Sequence, residues 1–133
     1  MIAQMSHIGI VVNNIEEATK LWVETYGLKV SHRGEAEVEG IKHVFLAVGN
    51  NFIELMEPIN HQDMSNAIAK RLATRGEGIY HIAFVVDDID EESKILAGKG
   101  VTLIKRPPSP DQPRGRWIIH PKSANGAMLE LLS

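Results

Sequence analysis

Four residues could hold a divalent cation between them: His7, Glu54, His81 and Glu130. His7 stands in Ser6-His7-Ile8-Gly9-Ile10-Val11-Val12, and the pattern returns 74 residues later as Tyr80-His81-Ile82-Ala83-Phe84-Val85-Val86. Each histidine is followed at a nearly equal interval by a glutamate among apolar residues. Ile53-Glu54-Leu55-Met56 places Glu54 47 positions after His7, and Leu129-Glu130-Leu131-Leu132 places Glu130 49 positions after His81. Burying an ionised carboxylate without a partner costs on the order of several kcal/mol, and neither glutamate has an Arg or Lys two residues away on its own strand face. A lone histidine in an apolar strand is ordinarily structural. The recurrence of all four residues at matched places of a repeat favours a common task, since two imidazoles and two carboxylates form an N2O2 set suited to Mn, Co, Ni, Zn or Fe(II).

The elements that must position these residues follow from the patterning. Alternation over 5–12 puts Met5, His7, Gly9 and Val11 on one face of a strand and Ile8, Ile10 and Val12 on the other. Asn14 with Glu17 has the form of a helix N-cap box, and apolar residues then recur at helical spacing up to Gly27. Strands are predicted at 28–31, around 42–48 and at 51–57, where Phe52, Glu54 and Met56 share a face. This first module, about 1–58, reads β-α-β-β-β. Residues 59–78 form a linker with a short helix over 66–74. The second module, about 79–133, repeats the first: a strand over 79–86, the cap pair Asp88 and Glu91, a helix to Gly98, and strands at 101–105, 116–120 and 127–132. Four prolines make 107–115 a loop that cannot join a sheet ladder and could border a binding site.

At 133 residues the chain has the length of one domain, and its half-modules are too small to bury separate cores. Its 44% hydrophobic and 23% charged residues fit a globular protein, and a net charge of −3 gives no reason to expect nucleic acid or an anionic membrane as partner. Zero cysteines exclude disulfides and thiolate chemistry. No apolar run approaches the roughly 18 residues of a membrane span, so a cytoplasmic location is expected.

The duplicated β-α-β-β-β unit with His7, Glu54, His81 and Glu130 resembles the vicinal oxygen chelate (glyoxalase/bleomycin resistance/dioxygenase) superfamily. Within it, the segments Ile53-Glu54-Leu55-Met56-Glu57-Pro58 and His120-Pro121-Lys122-Ser123 are similar to those of the methylmalonyl-CoA epimerase family. The resemblance implies an α+β fold in which two tandem βαβββ modules form an incompletely closed eight-stranded mixed sheet around one divalent metal ion (Co, Mn, Ni or Zn). It implies 1,1-proton transfer between the 2R and 2S forms of methylmalonyl-CoA through a stabilised enolate, with Glu130 as one proton carrier. Where bacterial members of that family often carry a second glutamate, this chain has His43, so His43 or Glu54 is expected to serve the other face. Glyoxalase I chemistry, an extradiol dioxygenase and a drug-sequestering binding module are the alternatives. They are disfavoured in turn by His120-Pro121-Lys122 in place of the glyoxalase segment, by the occupied Glu54, and by the metal set itself. A homodimer is expected by analogy.

Six basic residues between 99 and 122, against one acid, suggest a rim for the phosphates of CoA, with Arg106, Arg114 and Lys122 as candidate substrate contacts.

Overall fold

The computed structural model describes residues 1–133. Eight strands are hydrogen-bonded in the order β2-β3-β4-β1-β5-β8-β7-β6, an open mixed sheet of the expected α+β type. The strands are β1 (Ile2–Val11), β2 (Lys29–Ala36), β3 (Ile41–Val48), β4 (Asn51–Pro58), β5 (Gly78–Val86), β6 (Leu103–Arg106), β7 (Arg116–Ile119) and β8 (Leu129–Leu132). Three helices accompany them: α1 (Ile15–Lys20), α2 (Ala67–Arg75) and α3 (Ile89–Gly98). None is long and apolar enough to cross a membrane.

By compactness the chain falls into two units, Ile8–Tyr80 on one hand and Met1–His7 with His81–Ser133 on the other. In the first unit β3 pairs antiparallel with both β2 and β4, with Phe45 opposite His32 and Glu54, and His43 opposite Gly34 and Met56. Alternation then sorts the faces. Val44, Leu46 and Leu55 are buried with Val12 and Ile15 against α1, while Ile41 and Met56 are buried with Val11 and Ile68 of α2. Asn14 caps α1 by accepting from the Glu17 N–H at 3.0 Å, as the cap box predicts. Continuation of that helix towards Gly27 takes a wider form than predicted, because Leu21–Thr25 winds as a π-helical turn. The edge strand β2 runs to Ala36, five residues past its predicted end. Its sequence Ser-His-Arg-Gly-Glu-Ala lacks apolar alternation, and the ladder with β3 supplies what propensity does not.

In the second unit β5 and β8 run parallel, with β7 antiparallel to β8 and β6 antiparallel to β7. Val86, Ile89, Ile119 and Leu131 form its buried core, and Asp88 caps α3 through the Asp90 and Glu91 N–H groups.

Candidate metal centre

His7, on the early part of β1, and His81, on β5, are both buried, and their Nε2 atoms lie 3.1 Å apart. Glu130 on β8 is buried as well, 3% exposed, with Oε2 at 3.4 Å from His81 Nε2. One ligand atom from each of the three lies within 4.8 Å of the others. Two atoms each about 2.1 Å from a shared ion, at angles between square and tetrahedral, stand about 3.0 to 3.4 Å apart, so these separations fit cis ligands of one divalent cation. Two imidazoles and a carboxylate are also the donor chemistry such ions take. The Ser6 hydroxyl lies 3.0 Å from His7 Nδ1, where accepting the Nδ1 hydrogen leaves the Nε2 lone pair towards the cluster.

Glu130 has a partner that spacing along its own strand does not reveal. Arg116 Nη1 donates to Glu130 Oε1 at 3.1 Å, with the arginine side chain 16% exposed and that of the glutamate 4%. The cause is register: Ile118 faces Glu130 across the β7–β8 ladder, so Arg116 lies diagonally on the same face. Gly115 delivers it there. At φ 79° it adopts a conformation L residues avoid, and a Cβ would sit 2.9 Å from the Arg106 carbonyl oxygen. The guanidinium thus fixes one carboxylate oxygen and leaves Oε2 on the histidine side. Such outer partners are worth about 10- to 100-fold in metal affinity. Arg116→Met, which keeps an apolar stem, is therefore expected to weaken binding of Zn or Co by that factor in a calorimetric titration, with an unchanged circular dichroism spectrum.

Glu54 belongs to the other unit, where its Oε2 pairs with His43 Nδ1 at 3.1 Å. Both side chains are largely buried, 12% and 9% exposed. Glu54 thus acquires a polar neighbour from β3, again on a diagonal, because its direct partner across the ladder is Phe45. The Phe45 ring meets His43 edge-on at 5.1 Å and is stacked by His32 at 4.4 Å. With Nδ1 tied to the carboxylate, His43 presents Nε2 as its second nitrogen, an arrangement that suits proton transfer.

Charged residues elsewhere have tasks of their own. Burial pushes the Glu57 carboxyl up, but hydrogen bonds from His61 and the Ile15 N–H, with Lys42 nearby, hold it below the usual glutamate value. Its contribution to stability is therefore present above that usual value and is lost as pH falls through the lower folded-state value. Glu57, Lys42, Arg33 and Glu16, with Gly34 and His43 also on its lining, border a cavity of about 400 Å³ beside α1. Arg106 ends β6 opposite Arg116, and Lys122 is an exposed residue of the short helical turn Pro121–Ser123. Arg114 donates to Asp88 at 3.1 Å and Asp90 at 3.2 Å, pairing with the start of α3. The hydrogen bond to Asp90 and the charge of Asp88 raise its pKa, so a phosphate at Arg114 would compete with two carboxylates.

Residues 6–119 match the model of the Glyoxalase/Bleomycin resistance protein/Dioxygenase superfamily, and the chain belongs to that superfamily. Among individual relatives, the mitochondrial methylmalonyl-CoA epimerase of Dictyostelium discoideum is 30% identical over 98% of this chain and 78% of its own length. The ethylmalonyl-CoA/methylmalonyl-CoA epimerase of Cereibacter sphaeroides is 27% identical over 98% of both chains. The crystal structure of methylmalonyl-CoA epimerase from Mycobacterium tuberculosis superposes with a TM-score of 0.87 at 32% identity, covering 98% of this chain and 87% of that one.

Proposed function

We infer that the protein is a metal-dependent epimerase that interconverts (2R)- and (2S)-methylmalonyl-CoA by 1,1-proton transfer. The observation that carries this reading is the buried His7, His81 and Glu130 cluster, whose separations suit one divalent ion. Relatives named for this chemistry, matched along almost the whole chain, supply the substrate. His7, His81 and Glu130, with Glu54 as fourth donor on the strength of the sequence repeat, would hold a divalent ion (Co, Mn, Ni or Zn), which would supply Lewis-acid stabilisation of the enolate charge.

The protein's own groups move the proton. On the family resemblance, Glu130, which Arg116 orients, is the proton carrier for one face of the α carbon and His43, which pairs with Glu54, the carrier for the other. Whichever group is unprotonated removes the α hydrogen, leaving a planar enolate, and its protonated counterpart returns a hydrogen to the opposite face. Glu54, the alternative carrier, orients His43 through Nδ1. Arg106 and Lys122, and Arg114 once released from Asp88 and Asp90, attract the CoA phosphates. A homodimer completes the reading by analogy with related folds.

Incubating the metal-loaded protein with either epimer in heavy water tests it. Both epimers should form, with deuterium at the α carbon. A glyoxalase would instead act on a glutathione hemithioacetal, and a binding protein would exchange nothing. Absence of both exchange and epimerisation in protein with metal bound overturns the proposal.

A further inference from the structure

The side-chain layout around His43 leaves space on one side only. Along β3 its neighbours on the same face are Ile41, which is buried, and Phe45, whose ring is braced by His32. Across the ladder on β4 stands Met56, 2% exposed. On β2 the opposing residue is Gly34, which brings no side chain, and a Cβ added there meets nothing within 4 Å. The flanking positions of that face, His32 and Ala36, lie about 7 Å along the strand to either side, wider than an alkyl chain. Because β2 is the outermost strand of the sheet order, this bay opens at an edge.

We propose that the bay over Gly34 receives the α-alkyl group of the malonyl thioester, making Gly34 a specificity-determining residue that admits substituents longer than methyl. This rests on the epimerase reading and on His43 as a proton carrier. A proton carrier stands about 3 Å from the carbon it serves, along the C–H direction, so the alkyl group lies to one side of that line, against the carrier's own neighbours. The carboxylate and thioester oxygens are polar and belong with cationic groups, whereas the alkyl group is apolar. Ile41, Phe45 and Met56 already fill three sides, and the remaining side is the one Gly34 leaves open. The relative named for both ethylmalonyl-CoA and methylmalonyl-CoA accords with a site of adjustable depth.

The experiment measures kcat/KM for ethylmalonyl-CoA and methylmalonyl-CoA with metal-loaded wild type, Gly34→Ala and Gly34→Val. Gly34 sits in regular strand without positive φ and with open space at its Cβ, so both variants should fold, with thermal midpoints at or above that of the wild type. The wild type is expected to turn over the ethyl substrate within about tenfold of the methyl one, and Gly34→Val to lower the ethyl-to-methyl ratio by about tenfold or more, with Gly34→Ala intermediate. An unchanged ratio in Gly34→Val, or a wild type that epimerises methylmalonyl-CoA alone, overturns the inference while leaving the epimerase reading in place. A wild type that epimerises neither substrate overturns both.

Discussion

His81→Ala is expected to bind divalent metal at least about a hundredfold more weakly than the wild type and to lose roughly a thousandfold in epimerisation rate. His81 carries the largest effect because its Nε2 lies 3.1 Å from His7 Nε2 and 3.4 Å from Glu130 Oε2. Removing the imidazole leaves His7 as the one nitrogen donor, beside the carboxylate of Glu130 and, on the strength of the sequence repeat, that of Glu54. It also leaves Glu130 with Arg116 as its charged partner in a buried setting. The activity loss follows from the lost metal, since stabilising the developing enolate charge is worth several kcal/mol and each factor of ten in rate is about 1.4 kcal/mol. Metal content after dialysis, measured by mass spectrometry on protein with a wild-type circular dichroism spectrum, checks the first part. His61→Ala is the control: His61 pairs with Glu57 in the other unit, and its loss should leave metal content unchanged. A His81→Ala protein that retains the metal stoichiometry of the wild type would sink the assignment.

The three clustered candidate ligands are readable in the sequence because a tandem repeat converts a spatial coincidence into a spacing. His7 and His81 occupy equivalent strand positions 74 residues apart, and period-2 alternation sets their faces. Helix caps are readable for a related reason: Asn14 and Asp88 bond amides two or three residues away, within reach of a local motif. The partners of the two glutamates are not readable in this way. Arg116 reaches Glu130, and His43 reaches Glu54, along diagonals of antiparallel ladders, and which residues fall on a diagonal depends on register. Looking two residues up and down the same strand finds neither. Arg116 stands among six basic residues whose common reading is a solvated or phosphate-binding rim, yet it is 16% exposed and hydrogen-bonded to a candidate ligand. The polar edge strand β2, with Gly34 opposite His43, escapes for the same reason: its conformation comes from its neighbour and not from its own pattern.

Loss of His43 separates the two halves of the proposed reaction. In His43→Ala, epimerisation of methylmalonyl-CoA should fall by about 10²- to 10⁴-fold, the usual worth of a positioned proton carrier, while metal content stays at the wild-type level. With Glu130 still able to remove and return a proton on its own face, one epimer should wash in deuterium from heavy water without inverting. The other epimer presents its hydrogen to the missing imidazole and should exchange slowly. The prediction turns on which nitrogen is committed: Glu54 Oε2 holds Nδ1 at 3.1 Å, and Phe45 holds the ring edge-on, so Nε2 is the nitrogen that can reach a substrate. His43→Gln probes that geometry further, since an amide can keep a hydrogen bond to Glu54 but cannot carry the proton, and it should behave kinetically like His43→Ala. Proton nuclear magnetic resonance of the α hydrogen, followed for each epimer separately, reads exchange and inversion in one experiment. Equal loss of exchange for both epimers would move His43 from proton transfer to support of Glu54, and undiminished epimerisation would remove it from the reaction.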